Sequence, residues 1–424
     1  ELATFASDLI HHPDDDVWLS ALYASAMTLR FPQGRRVLCE SGSWDYIMRL
    51  VTIANEKNGI ETVKKLGVAT FHNYIAMALN GFTSGAIQMQ LKSKTRNVKI
   101  NLMNHLPETL SIEDPLGDVL FRLSGSLNVI TSSTTCATIA NLVSLGVTLS
   151  VDSFTEFLKV IERPAATDVC IATASALSTA LISQNYRVVD NAGANFFFNV
   201  VVALGKRMKY GCEPATQRYL AASILALCDK NTIPKLENHV LLHKLVETVA
   251  RLPSFAEKSD WLALNYVISS LWCLAKSTVC CRILADTKVT PSLMKIMIEL
   301  NGTEKKDKWN DEEKNIRKRI VGLFFLMTVT NMKARHEVLA EKYALEVITW
   351  LEDSDYHVVT WTCAMFWDAF YTSPKLAEEL LPFGILDTLV HIASKHQGVS
   401  NLTRQFAAGT LEALADAHPH ALEE

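Results

Sequence analysis

Three groups of residues in this chain have the types and spacing that chemistry requires. His239 and His243 stand four apart in HVLLH, and Glu247 follows one further turn on. On a helix these three share a face, which is a metal-ligand spacing. The zinc-protease signature needs Glu directly after the first His, and Val240 stands there instead. No further His or Cys cluster completes a coordination shell, so an ordinary exposed helix face is expected. His11 and His12 precede Asp14, Asp15 and Asp16. Carboxylates at a helix start complement the positive end of the dipole, so capping is their expected role. Lys92, Lys94, Arg96 and Lys99 form a basic run that lacks interleaved aromatics for base stacking. It reads as a solvated loop, as Glu378–Glu379 and the Asp353–Asp355 pair read as solvated helix ends.

The signatures of nucleotide and acyl chemistry are missing. No two glycines are spaced as G-x-G, and there is no G-x-S-x-G elbow. The expectation is a protein with no catalytic residues, no metal and no cofactor, that is, not an enzyme.

Composition narrows the class further. Hydrophobic residues make up 49% of the 424, enough for a large core, and the formal net charge is −4. That near-balance gives no general pull toward nucleic acid or anionic membranes. No apolar run approaches the roughly 18–20 residues of a membrane span, and the richest, Phe196 to Leu204, contains Asn199. No leader peptide is visible, and a start at Glu1 suggests a piece of a longer chain. The nine cysteines are an odd number with no C-x-x-C pair. Buried, reduced thiols in an intracellular and most simply cytoplasmic protein are expected.

The elements that carry these residues read as helices throughout. From His357 to Ser394, HVVTWTCAMFWDAFYTSPKLAEELLPFGILDTLVHIAS gives a long helix over Val358–Tyr371. A break follows at Ser373–Pro374, then a short helix to Leu381, a turn at Gly384 and a helix over Ile385–Ser394. Such a unit cannot bury its own apolar faces and has to stack on copies of itself. Copies in the same register run from Val17 to Val51, Asp168 to Leu204, Ser269 to Leu300 and Lys318 to Leu351. Weaker ones begin near Lys64, Asp118, Arg218 and Arg404, giving about nine units. Strand signals are almost absent. Gly34, Gly42, Gly146, Gly193 and Gly384 fall where short helices should stop. Pro164, Pro291, Pro374 and Pro382 fall at breaks or helix starts. The stretch 302–319 is a charge-dense insert expected to be a solvated loop or a helix extension.

The order of helix, short helix, glycine turn and helix, with RRVLCESGSWDYIMRLV and AEELLPFGILDTLVHIA, resembles the armadillo repeat. The resemblance covers most of the chain, from about Val17 to His418, and the two-helix HEAT repeat is its structural rival. It implies an all-α fold: one right-handed α-solenoid over 1–424, of about nine armadillo/HEAT-like repeats. In that family the third helices line a concave groove, where Trp and Asn one turn apart hold an extended peptide. The matching Trp-type positions here are Tyr23, Gly125, Ser175, Ser223, Trp272, Phe324, Met365 and Gly409. The Asn-type positions are Met27, Val129, Thr179, Leu227, Lys276, Thr328, Ala369 and Ala413. Only Trp272 keeps its type, which argues against a carrier of basic signals and leaves a small, apolar groove. The groove residues expected to bind a partner are Tyr23, Trp272, Lys276, Phe324 and Thr328.

The resemblance therefore implies a scaffold or adaptor that takes a partner's helix or apolar segment, with no nucleic-acid partner. Two other roles in the family remain open: a client chaperone of the myosin-folding type, and a sensor or regulatory domain of a larger enzyme. A ubiquitin-ligase receptor for glycine N-termini fits poorly. In LWCLAKS, Cys273 and Lys276 stand where Asn and an acid would be expected.

Overall fold

Helix follows helix along almost the entire chain. The structure is a computed structural model that describes residues 8–10, 12–41, 44–96, 106–163, 165–209, 212–228, 241–256, 260–301, 310–394 and 399–417. The chain divides into two compact units, Glu1–Ala226 and Leu227–Glu424.

The first unit holds α1 (Asp15–Thr28), α2 (Pro32–Ser41), α3 (Trp44–Glu56), α4 (Glu61–Leu66) and α5 (Val68–Arg96). They are followed by α6 (Pro115–Ser124), α7 (Val129–Ser144), α8 (Val151–Glu162), α9 (Thr167–Lys209) and α10, which starts at Pro214 and ends at Leu227. Helices α1, α5, α7 and α9 pack side by side in that order. The capping role expected of the acidic run holds. The Asp14 carboxylate accepts the amides of Asp16 at 2.9 Å and Val17 at 3.4 Å. Asp15 accepts the Trp18 indole N–H at 2.9 Å and the Thr62 hydroxyl at 3.1 Å. The indole hydrogen bond is the main reason its carboxyl lies below the usual range.

Three features of this unit differ from the helical reading. A two-residue parallel pair, β1 (Thr109–Leu110) with β2 (Thr148–Leu149), joins the segments that lead into α6 and α8. The Thr148 amide donates to the Glu108 carbonyl at 2.9 Å and the Ser150 amide to the Leu110 carbonyl at 3.0 Å, so the two approaches satisfy each other's backbone groups. Gly193 does not end a helix: α9 runs 43 residues without a break. A helical glycine costs only about 1 kcal/mol and forces no stop. Gly34 also lies inside a helix, where a Cβ would stand 2.1 Å from the Thr28 carbonyl oxygen; closeness explains it, not a turn. Gly146 and Gly384 do end helices, at φ 104° and 79°, while Gly42 lies outside the described residues. The basic run falls at the end of α5, with Lys99 outside the described residues.

The second unit contains α11 (Leu242–Arg251), α12 (Trp261–Ala275), α13 (Thr278–Asp286), α14 (Val289–Asn301) and α15 (Asp311–Thr330). Then come α16 (Met332–Val338), α17 (Ala344–Thr349), α18 (Tyr356–Thr372), α19 (Pro374–Leu380), α20 (Ile385–Ser394) and α21 (Asn401–Ala417). The helices expected from His357 onward are found within two residues of their ends. The charged insert is in part a helix extension. Asn310 and Glu313 form a reciprocal capping box, 2.8 and 2.7 Å, at the start of α15, and 302–309 lie outside the described residues. Helices α12, α15, α18 and α21 pack in sequence order, with α13, α16, α19 and α20 behind them. Across both units the architecture is all-α with successive neighbours packed together, as a helical repeat requires.

A buried polar chain sews this second unit together. Arg317 on α15 ion-pairs with Asp353, each side chain 5% exposed, and also donates to the Asn301 side-chain oxygen Oδ1. The Asn301 amide reaches Glu346, which accepts the Trp350 indole N–H at 2.9 Å. Trp350 in turn stacks on Phe324, centroids 5.7 Å apart and planes 3° from parallel. Removing one member of such a buried pair strands the other charge. Asp353→Ala is expected to cost about 3–5 kcal/mol. The double change Arg317→Met with Asp353→Leu should recover most of that, both read by urea unfolding followed by tryptophan fluorescence.

Candidate functional site

The second unit keeps several large aromatic side chains partly exposed along α12, α15, α18 and α21. Trp272 on α12 and Trp361 on α18 are in contact, with ring centroids 5.6 Å apart. Their helices are not adjacent in the row; α15 lies between them. Gly322 makes the contact feasible. A Cβ there would stand 2.6 Å from the Trp272 ring and 2.9 Å from the Trp361 ring. The two indoles therefore lie across the middle helix where it has no side chain.

His357, one turn before Trp361, stacks on it with centroids 5.4 Å apart and itself touches Tyr356 at 3.8 Å. Phe325, Leu326 and Val329 remain at least partly exposed on α15. Trp367 extends the aromatic surface to α21, where it meets Phe406 at 5.5 Å. A Cβ on Gly409 would stand 2.9 Å from its indole nitrogen, so a second indole also lies over a glycine.

Charges flank this surface unevenly. Three cations follow one another in α15. Arg317 pairs with Asp353 and Lys318 with Asp355 at 3.3 Å. Arg319 donates to the Asn265 side-chain oxygen and to the Ser269 hydroxyl at 2.6 Å, both neutral groups on α12. Burial pushes its guanidinium pKa down, and only the Cys273 thiol nearby opposes that. The Lys276 ammonium sits 6.0 Å from the Trp272 ring centroid, the outer limit of a cation–π contact. Near the far end of α18, Asp368 ion-pairs with Arg335. Its carboxyl is nonetheless held above the usual range because burial outweighs the arginine's charge.

The expected groove residues separate into two classes. Trp272 and Lys276 lie on this exposed surface. Tyr23 belongs to the first unit, where it is 48% exposed against the edge of Tyr74 at 5.3 Å. Phe324 and Thr328 do not line an open face. Both are fully buried, Phe324 against Trp350 and Thr328 with its hydroxyl on the Phe325 carbonyl at 3.0 Å. The face of α15 is turned by two residues from the expected one, to Gly322. Met365 and Ala369 are likewise core residues, and Trp361 and Trp367 hold the edges of α18 instead. Gly125 caps α6 and Val129 opens α7, so neither is a groove position. Gly322, Trp361, His357 and Arg319 were not singled out from sequence. The signal available was the WTCAMFW run, whose two tryptophans six apart fall on opposite edges of one helical face.

The other chemistry-bearing residues form no centre. His243 lies 3.6 Å from Glu247, both well exposed, and His239 is outside the described residues. Among the described residues no three His, Cys, Asp or Glu side chains are grouped to hold a metal ion. All nine cysteines are unbridged, and burial pushes the Cys136 and Cys363 thiols up to about 12. A cleft of about 510 Å³ beside α18 and α20 is lined by Glu352, Asp353, Asp387 and His391 among others. Among the described residues no single helix is long and apolar enough to cross a membrane. Helices α12 and α13 would pass only as a pair bent by 119°.

No protein-family model and no curated protein matches the sequence. In structure the chain is similar to an engineered protein solved by crystallography as a Northeast Structural Genomics Consortium target. The TM-score is 0.58 at 13% identity, over 100% of this chain and 91% of that one. At that identity the likeness shows the fold, an all-helical chain of successively packed elements, and nothing of function.

The glycine beneath the indole pair can be tested directly. Gly322→Ala should leave the fold intact, because up to about 1 kcal/mol of helix propensity offsets the crowding. It should displace both indoles, seen as a shifted and less quenched tryptophan emission relative to Gly409→Ala.

Proposed function

We propose that this chain is a non-enzymatic interaction scaffold, an armadillo-like right-handed superhelix that holds a partner protein's segment on the aligned third helices. The observation that carries this reading is the indole pair Trp272–Trp361 kept partly exposed over Gly322. Burying apolar surface is worth about 25 cal/mol per Å², so the partly exposed edges of these indoles favour an occupant. Tryptophan is enriched among the few residues that dominate interface energies. The apolar neighbours Phe325, Leu326 and Val329 suit a helix or an extended apolar segment laid along the face.

A client-chaperone role would use the same surface, and suppression of client aggregation at stoichiometric amounts is what would favour it. A nucleotide-sensing role is less well supported. The cleft of about 510 Å³ presents Glu352 and Asp387, carboxylates that repel phosphate.

The test uses the full chain as bait, with bound partners identified and their contact segment mapped. Trp361→Ala and Trp272→Ala should each weaken the isolated segment about tenfold or more, roughly 1.4 kcal/mol, while Tyr371→Ala changes little. Partners retained equally by both tryptophan variants would remove the basis of this assignment.

A further inference from the structure

The run Arg317-Lys318-Arg319 places three cations in one turn of α15, and the structure treats them differently. Arg317 is neutralised by Asp353 and Lys318 by Asp355. Asp355 is further committed as the cap of α18, accepting the His357 amide at 2.8 Å. Arg319 alone of the three has no carboxylate among the described residues. Its partners are the Asn265 side-chain oxygen and the Ser269 hydroxyl, both reached through one terminal nitrogen. A guanidinium carries five N–H donors in a fixed fork, so the donors on the remaining nitrogens have no described partner. Arg319 is partly exposed, so those donors remain open to an anion arriving from solvent.

We infer that the scaffold face takes an acidic protein segment, its carboxylate seated on Arg319 and its apolar neighbour lying on the Trp272–Trp361 pair. This rests on the scaffold reading of the same surface and adds the chemistry of the occupant. Geometry supports the pairing. Arg319 is three residues before Gly322, hence one turn along α15 from the point where the two indoles cross. Asn265 and Ser269 stand on the Trp272 helix and hold the guanidinium beside that crossing. The Lys276 ammonium over the Trp272 ring adds a second positive group on that side. An arginine fork accepts a carboxylate through two parallel hydrogen bonds, stronger than neutral ones. A nucleic acid is a poorer occupant, since Arg317 and Lys318 are already paired with carboxylates and the two cations left on this side are few for a phosphate backbone.

The test is peptide selection on the full chain from two random libraries, one with free C-termini and one with them fused. Selected peptides are resynthesised with a fluorophore and measured by anisotropy against wild type, Arg319→Gln, Arg319→Lys and Trp361→Ala. The expected outcome is an Asp or Glu next to a large apolar residue. Enrichment from the fused library assigns the carboxylate to a side chain; enrichment only from the free library assigns it to the terminus. Arg319→Gln should weaken binding about tenfold or more, roughly 1.4 kcal/mol, and Arg319→Lys should restore part of it. Replacing the peptide's acid by its amide should add nothing further on Arg319→Gln. The thermal midpoint of Arg319→Gln should stay close to that of wild type, so that lost binding is read apart from lost folding. Peptides that bind through Trp361 yet carry no acid, or that bind Arg319→Gln as well as wild type, overturn this inference and leave the scaffold reading standing. A selection that enriches nothing, or binders indifferent to Trp361→Ala, removes both. A single-stranded oligonucleotide that outcompetes the peptides at Arg319 would also overturn it.

Discussion

Among the described residues, the long helices of the second unit bury their apolar faces largely against the long helices before and after them. Helix α15 shows the consequence. Its run IVGLFFLM is flanked by α12 on one side and α18 on the other, and Phe324 is closed off behind by Trp350. Every burial in the second unit depends on such succession, which is how a repeat architecture holds a core without a centre. On α12 and α18 the same arrangement leaves Trp272, Trp361 and Trp367 at least partly exposed.

Polar groups follow the same logic of linking neighbours. The Arg317–Asp353 pair and the path from Asn301 through Glu346 to Trp350 connect α14, α15, α17 and the turn before α18. Between α18 and α21 the hydroxyls of Thr360 and Thr403 meet at 2.6 Å, and Thr410 donates to the Cys363 carbonyl at 3.3 Å. In the first unit the Asn141 amide on α7 reaches Asn80, Thr83 and Ser84 on α5 at 3.0–3.1 Å. Buried polar groups find partners across the helix seams because their own helices have already used the backbone.

The sequence made the helices, the breaks and the repeating order legible, because periodicity and punctuation agree wherever proline or a left-handed glycine intervenes, as at Pro374 and Gly384. It failed where the physics is not local. Gly193 looked like a stop, yet nothing in a single glycine requires one, and α9 passes through it. The phase of α15 was unreadable for a different reason. Phe324 and Phe325 are adjacent in a run that is apolar on every side, so periodicity cannot say which of them turns inward. That is decided by Trp350, which is remote in sequence and meets only Phe324. The site suffered accordingly: Trp272 and Lys276 were legible, while Gly322 drew no attention because its importance lies in what other helices lay upon it.

The contact of Trp272 with Trp361 has a mechanical consequence. A linear array in which each segment touches only the next behaves as a chain of nearest-neighbour couplings, free to flex and to fray from its ends. An indole bridge that skips over α15 adds a coupling between second neighbours here. Bending there must separate two rings as well as slide one seam, and α15 cannot loosen without disturbing both flanks. The stretch from α12 to α18 is thereby tied together more tightly than successive packing alone would tie it. A surface braced in this way has its spacing set in advance, which would leave little conformational entropy to lose to the occupant proposed above.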